Sequence, residues 1–294
     1  MVGSMTDVDA PGAGPNHAQA TYWEDRSGSW IASEAWWLST VAGPFGDAAT
    51  EQLNPRPGQR LLDIGCGTGP TTVRLAKMIG PDGTITGVDI SPSMVDAARR
   101  RAADAEVDNA TFAVADAQVA DLGVEVLDGV FSQFGIMFFA DPTAAFANVR
   151  AAVRPGGRLA FACWQDLSRN DWMTVPGVAA ASVTGQIPTM PEPGAPGPFS
   201  LADPDRIRKV LTDAGWADVR IADVTTDVVV PEDRVEDMLV GVSRMGAVRE
   251  QLEAFKDPAM RDRISDAVRT ELLSRLVDGE VRLASAAWAV TAVA

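Results

Sequence analysis

The chain has 294 residues, enough for one large domain or for one domain with a cap. Forty acidic residues against 25 basic ones give a net charge of -15, which repels phosphate backbones and argues against nucleic acid as a partner. No stretch is long and apolar enough to span a membrane. The two cysteines, Cys66 and Cys163, lack metal-ligand spacing, so we expect reduced thiols, no bound metal and a cytoplasmic location.

The first residues of the chain predict a tail followed by a cap. Residues 1–20 are rich in Gly, Pro and Ala and favour a disordered tail, which contains the only histidine, His17. Residues 21–56 contain tryptophans at helical spacing, among them Trp30, and predict a helical cap.

The rest of the chain predicts an α/β fold. Over residues 57–165 the apolar runs "RLLDI", "GTITGVDI", "ATFAVAD", "LDGVFSQFG" and "RLAFACW" alternate with helical patterns. Such alternation is typical of a doubly wound, mostly parallel sheet, here of seven strands with helical and loop insertions. Beyond this core we expect a proline-rich lid or substrate loop, a continuation of the core, a helical insertion and a closing strand, at residues 166–200, 201–231, 232–278 and 279–294.

A glycine-rich loop follows the first predicted strand, in "LLDIGCGTGPTT". Gly65, Gly67 and Gly69 form G-x-G-x-G, but Pro70 stands where a dinucleotide loop has its last small residue, and the lysine of a phosphate-binding loop is missing. Asp63 would repel a pyrophosphate and suits a ligand with positive charge. The loop therefore indicates close approach to a ligand other than a dinucleotide.

Two further acids end the next two predicted strands. Asp89, at the end of "TITGVD", is placed to accept hydrogen bonds from both hydroxyls of a ribose. Asp116, at the end of "TFAVAD", is placed to accept one from an exocyclic amine such as that of adenine. Ligands of open α/β sheets bind at this edge, so we expect the acids to line one crevice.

The order and spacing of these motifs resemble the class I, Rossmann-like S-adenosylmethionine-dependent methyltransferases of small-molecule type. The resemblance covers about residues 57–165 and 198–223. It implies S-adenosylmethionine as cofactor, with the glycine loop at its methionine end, Asp89 at the ribose, and Asp116 with the backbone amide of Ala117 at the adenine. The segment "FSQFGIMFF", with Ser132 and Gln133, would lie along the cofactor near the reaction centre.

Three more residues complete the predicted cofactor site. Ile90 and Met94 suit the walls of an adenine pocket, although both also suit the core. Trp30 on the cap helix is expected beside the sulfonium, because a cation over an aromatic ring is stabilised, with core packing as the alternative. The full predicted set is Asp63, Gly65, Gly67, Gly69, Asp89, Ile90, Met94, Asp116, Ala117, Ser132, Gln133 and Trp30.

The predicted acceptor pocket is apolar, with Phe134, Met137, Trp164 and Trp172 as candidate walls and ordinary core packing as the alternative for each. We therefore expect a small hydrophobic acceptor. No catalytic residue is assigned: His17 lies in the predicted tail, so any base would be a carboxylate or water. The acceptor atom stays open, as does the choice between a monomer and a homodimer.

Three other functions compete with methyl transfer. An enzyme of the same fold could use the cofactor for cyclisation or rearrangement, and the sequence does not separate the two. A catalytically silent binding protein is disfavoured by the intact acids and glycines. A nicotinamide oxidoreductase is disfavoured by Pro70 and the glycine spacing.

Overall fold

A computed structural model describes residues 14–186 and 194–294 of the chain. Its strands are β1 Arg60–Ile64, β2 Thr84–Asp89, β3 Ala110–Val114, β4 Leu127–Gln133, β5 Val153–Trp164, β6 Ala217–Pro231, β7 Leu276–Val277 and β8 Glu280–Val293. They form one sheet in the order β3-β2-β1-β4-β5-β8-β6, with the short β7 paired to β8. Strands β1 to β5 are parallel, and β8 lies antiparallel between β5 and β6. The predicted α/β class with a mostly parallel sheet is confirmed, the two-residue β7 being the strand beyond seven.

Ten α-helices are found among the described residues: α1 His17–Trp37, α2 Gly43–Leu53, α3 Pro70–Ile79, α4 Pro92–Asp104, α5 Pro142–Ala152, α6 Asp171–Thr184, α7 Pro204–Asp213, α8 Val235–Val242, α9 Gly246–Ala254 and α10 Pro258–Ser274. A π-helical turn, Leu38–Ala42, joins α1 to α2. No helix among these residues has both the length and the apolarity to cross a membrane.

Local sequence explains where several of these helices begin. Pro92 and Pro142 occupy the first turns of α4 and α5, where a missing N–H costs nothing. The residue before each proline caps the helix, since the Ser91 hydroxyl accepts from the Met94 amide at 3.3 Å and Asp141 caps α5 in the same way. The end of β2 at Asp89 is therefore held close to the first turn of α4.

The sheet is the centre of the core. β4 is buried along almost its whole length, as expected for a parallel strand covered on both faces. Phe131 on β4 and Phe161 on β5 are fully buried, as are Phe45 of α2 and Phe146 of α5 on the covering layers. Burial of this kind fixes the carboxyl ends of the parallel strands, where the candidate site lies.

The structure corrects two predicted segments. Residues 14–20 are ordered rather than part of a tail, because α1 begins at His17 and the side chain of Asn16 is buried. Composition misled here, since the polar partners of Asn16 lie about 100 positions along the chain. The predicted loop at 166–200 contains a helix, α6, while residues 1–13 and 187–193 lie outside the described residues.

Candidate active site

A cavity of about 1070 Å3 opens at the carboxyl edge of the parallel strands. The strand ends and the glycine loop form its floor, and α1 crosses above them. The helix α6 and the turn between α8 and α9 supply further walls. The crevice expected at this edge is therefore present, and it is larger than the strand ends alone would enclose.

The three predicted acids all line this cavity. Asp63 is on β1 and Asp89 ends β2, while Asp116 follows β3 by two residues. Because β3, β2 and β1 are neighbours in the sheet, the acids follow one another across its edge in the order Asp116, Asp89, Asp63. A ligand along this edge meets three carboxylates in succession.

Asp89 is held by backbone amides on both of its oxygens. Its Oδ2 accepts from the Gly67 N–H at 2.9 Å and its Oδ1 from the Ser91 N–H at 3.0 Å. Burial raises the pKa of Asp89 above its ordinary value, while amides of Ser91, Gly67 and Ile90 oppose that rise and nearby Glu24 adds to it. The carboxylate is thus fixed in orientation, and it is joined directly to the glycine loop.

Asp63 lies deeper, with 1% of its surface exposed. Its pKa is raised from 3.8 to about 7, chiefly by burial and in smaller part by the negative charge of Asp89. The rise is opposed by a 2.6 Å hydrogen bond from the Thr72 hydroxyl and by the positive charge of Arg74. Because the pKa of Asp63 is close to 7, a cationic ligand group placed beside it would favour the ionised carboxylate and would itself be stabilised.

The three glycines of the loop do different things. Gly65 has φ +67°, and a Cβ there would come within 2.7 Å of the Gly135 Cα, so two loops of the site touch through glycines. Gly67 lines the cavity beneath Trp30. The predicted role of Gly69 is corrected: Gly69 is not in the cavity wall, and a Cβ there would come within about 3.0 Å of Ala98 and Phe112, so the glycine permits close packing instead.

Two residues at the end of β4 were also assigned to the cofactor. Gln133 lines the cavity, where its Oε1 accepts from Thr71 at 3.2 Å and its Nε2 donates to the Ala42 carbonyl at 2.9 Å. Ser132 is a second correction: it is fully buried outside the wall, and its hydroxyl donates to the Ile64 carbonyl at 2.7 Å. Alternate residues of a strand face opposite sides, so only one of the two reaches the cavity.

The remaining predicted cofactor residues are wall residues as well. Ile90, Met94, Ala117 and Trp30 all line the cavity. Met94 and Ala117 are nearly fully buried, whereas Ile90 and Trp30 are half-buried. They lie in the same wall as Asp89 and Asp116, which is compatible with the cofactor contacts predicted for them.

Polar contacts hold α1 over the strand ends. The Glu24 carboxylate accepts from the hydroxyls of Ser91 at 2.6 Å and Ser93 at 2.5 Å, at the N-terminus of α4. Burial alone would raise the pKa of Glu24, but these hydrogen bonds outweigh it and hold the pKa below its ordinary value. Glu34, one of the buried residues of α1, accepts from Thr68 and forms an ion pair with Arg101 at 2.5 Å. These contacts join α1 to the glycine loop and to α4.

An aromatic stripe on α1 faces the cavity. Trp23, Trp30 and Trp37 are seven residues apart, which places them on one face of the helix, and all three line the cavity. Their ring centroids are 5.6 Å and 4.9 Å apart, and Trp37 continues to Phe134 at 5.6 Å. The seven-residue spacing was visible in the sequence, although only Trp30 was assigned to the site.

The four predicted acceptor residues also come together. Phe134 and Trp164 stack with centroids 4.1 Å apart, and Trp172 follows Trp164 at 5.5 Å. Met137 lies against them, with its Sδ 3.4 Å from the Trp164 amide nitrogen. Phe134 has φ +62°, a conformation that costs a bulky residue free energy and is typical of functional sites. This turn after β4 directs the Phe134 ring into the aromatic wall.

The wall also contains residues to which no role was assigned from the sequence. Tyr22 of α1 is one of them. Further unassigned wall residues belong to α1, to the turn between α8 and α9 and to α9 itself, among them Trp23, Arg26, Arg244, Arg249 and Glu250. Nothing local in the sequence indicates that the segment near residue 245 lines the same cavity as the glycine loop. His17, in contrast, is not a wall residue.

Comparisons with known proteins agree with this geometry. Residues 61–157 match a family model described as a methyltransferase domain. The chain is 32% identical to the aklanonic acid methyltransferase of Streptomyces sp. (strain C5) over 40% of this chain and 54% of that protein. It is 29% identical to an O-methyltransferase of Pyrenophora dematioidea, over 75% and 73% of the two chains.

A solved structure shows the same fold. Phosphoethanolamine N-methyltransferase 2 of Haemonchus contortus, in complex with S-adenosyl-L-methionine, superposes with a TM-score of 0.57 at 19% identity, over 93% of this chain and 59% of that one. The fold and the row of strand-end acids define a nucleotide-binding methyltransferase domain. Residues 61–157 thus form a methyltransferase domain of the S-adenosylmethionine-dependent kind, as the motifs predicted, and the whole chain is similar to such enzymes.

The wall residues fit this cofactor chemically. Its methionine end carries an ammonium beside a sulfonium, its ribose carries two hydroxyls, and its adenine carries an exocyclic amine. Asp63, Asp89 and Asp116 offer one acceptor group to each of these in the order in which the sheet presents them. Both cysteines are buried, and burial raises the pKa of each thiol, which makes them poor nucleophiles. Over residues 14–186 and 194–294 no group of metal-ligating side chains is found.

We expect Trp30→Ala to reduce cofactor binding more than stability. Trp30 is half-buried in the wall, and its Nε1 is 3.9 Å from where a Gly67 Cβ would stand, so its ring lies over the loop at the methionine end. Loss of a cation–ring contact of about 0.5–2 kcal/mol should weaken S-adenosylmethionine binding roughly twofold to thirtyfold, as measured by calorimetry.

Trp37→Ala is the matched control, because Trp37 lies on the same stripe but is buried in the core cluster. It should lower the melting temperature more than Trp30→Ala does, and cofactor affinity less. Equal losses of affinity and melting temperature in the two variants would remove the sulfonium role from Trp30.

Proposed function

We propose that the protein transfers a methyl group from S-adenosylmethionine to a small, hydrophobic and aromatic acceptor. The observation that carries the proposal is that one cavity joins the row of acids to the aromatic wall. The matched regions cover only 54% of the first relative, so its substrate is not carried over to this chain.

The size of the cavity supports binding of two molecules. Its volume of about 1070 Å3 is slightly above the ~300–1,000 Å3 typical of ligand sites. The acids along the strand ends favour the polar cofactor, and Asp63 marks its methionine end. The space beyond, between Phe134 and α6, is bounded mainly by rings and methionines and favours a flat apolar molecule.

The aromatic wall suits the chemistry. Methyl transfer from a sulfonium is an in-line displacement, so the protein's main tasks are to orient the acceptor and to exclude water. Trp30 and the Phe134–Trp164 stack provide an apolar boundary that does both. The cofactor supplies an already activated methyl group when bound.

A base is needed only where the acceptor must lose a proton. His17 is not a wall residue, whereas Tyr22 and Glu250 are. A carboxylate or a water molecule therefore remains our proposal for the base, and the phenol of Tyr22 joins these candidates.

Two arginines of the wall already have protein partners. Arg244 donates to the Ala32 carbonyl at 3.0 Å, and Arg249 pairs with Glu253 at 2.6 Å. Arg244 joins the α8–α9 turn to α1, and the Arg249 pair lies within α9, so we assign neither arginine to the acceptor. This supports an acceptor whose recognition is chiefly apolar.

The test is product detection with a labelled cofactor. The protein is incubated with S-adenosylmethionine carrying a CD3 group and a panel of phenols, quinones and aromatic ketones, and the products are analysed by mass spectrometry. Transfer adds CD3 in place of a hydrogen and yields S-adenosylhomocysteine in equal amount. An acceptor that is isomerised without gaining the label, while the cofactor is unchanged, would contradict methyl transfer and favour rearrangement chemistry.

A further inference from the structure

Asn16 is buried at the adenine end of the cavity, although it precedes the first helix. Its side chain is 3% exposed and lines the cavity beside Asp116. The Asn16 Nδ2 donates to both oxygens of Asp116, at 2.9 and 3.1 Å, and to the Gln118 Oε1 at 3.0 Å. Its Oδ1 accepts from the Ala140 N–H at 2.7 Å. All the hydrogen-bonding groups of this amide are used.

These contacts restrict what Asp116 offers to a ligand. The Asp116 Oδ1 accepts from Asn16 and from the Gln118 backbone N–H at 3.0 Å, so both of its lone pairs are engaged. The Oδ2 accepts the longer branch from Asn16, which uses one of its two lone pairs. Within residues 14–186 and 194–294 this leaves one lone pair of Oδ2 for a single further donor.

The chain before Asn16 passes close to the same oxygen. A Cβ built on Gly14 would lie 3.4 Å from the Asp116 Oδ2. The segment from Gly14 to Asn16 therefore lies against the Asp116 carboxylate.

We propose that Asn16 is a positioning residue of the adenine subsite. It holds the Asp116 carboxylate in the orientation that keeps one lone pair of Oδ2 for the exocyclic amine, and it thereby sets the selectivity for adenine over a 6-oxo purine. The inference rests on the proposed role of Asp116, which is why the test separates the two.

The test compares two nucleosides by calorimetry. S-adenosylhomocysteine has the amine, whereas S-inosylhomocysteine presents a carbonyl oxygen, which a fixed carboxylate repels. Asn16→Ala should reduce the preference for the adenine compound about tenfold, because the carboxylate can then turn away, and removal of a hydrogen bond to a charged group is of this order. Asn16→Asp, which keeps the shape but loses the donors, should do the same.

Asn109→Ala is the matched control, because the Asn109 amide donates to the carbonyls of Ala76 and Gly80 outside the site. It should lower the melting temperature and leave the selectivity unchanged. The proposal also expects Asp116→Ala combined with Asn16→Ala to be no less selective than Asp116→Ala alone.

Two outcomes would overturn the inference and differ in what else they affect. If Asp116→Ala abolishes the selectivity but both Asn16 variants retain it, Asn16 is structural and the role of Asp116 stands. If Asp116→Ala itself leaves the selectivity unchanged, the adenine assignment fails together with the inference.

Discussion

Replacing Asp89 with alanine should weaken S-adenosylmethionine binding about tenfold to a hundredfold, since hydrogen bonds to a charged acceptor contribute about 1.5–3 kcal/mol. Asp89 ends β2, and the Gly67 and Ser91 amides fix both of its oxygens. The ribose hydroxyls would thus meet a carboxylate that needs no reorganisation. Calorimetry with S-adenosylhomocysteine measures the effect directly.

The loop itself needs a control, because Asp89→Ala also leaves the two amides without their acceptor. Asp89→Asn keeps an oxygen for the Gly67 amide while removing the charge, and it should still lose affinity. Asp121→Ala removes a similar turn contact, to the Gly123 amide at 2.9 Å, outside the cavity, and should bind normally. Unchanged affinity in both Asp89 variants would exclude the ribose role.

Asp63 should make both stability and cofactor binding depend on pH. Its folded pKa of about 7 lies above its ordinary value of 3.8, so between these values the folded protein holds a proton that the unfolded chain has released. The free energy of unfolding should therefore fall as the pH rises from about 4 to 7, by on the order of 3 kcal/mol from this group, and then level off. Asp63→Asn should remove this decrease, which thermal or urea unfolding across the range would detect.

Cofactor binding should show the opposite trend. The methionine ammonium favours ionised Asp63, so binding below pH 7 must displace a proton from it. The cofactor affinity should therefore fall by up to about tenfold for each unit by which the pH is lowered below 7. Asp63→Asn should bind more weakly at pH 7.5 and with little dependence between pH 5.5 and 7.5. A wild-type affinity that stays constant over this range would show that Asp63 does not pair with the ammonium.

The sequence predicted those parts of the site that rest on local patterns. A strand followed by Asp63 and three glycines, and two later strands ending near Asp89 and Asp116, were sufficient to place the acids on one edge, since parallel strands share it. The same patterns overstated Gly69, whose position serves helix packing rather than the ligand.

The cover of the site could not be predicted in this way. Asn16 and Glu24 have few local signals, because their partners lie between about 67 and 124 positions away and only the folded sheet brings them near. The turn between α8 and α9 reaches the cavity through the packing of α6 against α9, which no periodicity encodes. The tryptophan stripe of α1 was predictable in part. Its seven-residue spacing was visible in the sequence, but the sequence did not show that this face of the helix lies against the cavity.

The most direct test is an experimental structure with S-adenosylhomocysteine and a bound aromatic acceptor. The adenine should lie at Asp116, the ribose at Asp89 and the ammonium towards Asp63, with the sulfur facing the space between Trp30 and the Phe134–Trp164 stack. The acceptor should occupy that space with its reactive atom in line with the sulfur. A cofactor bound away from the three acids, or a sulfur that points away from the aromatic wall, would contradict the proposed site.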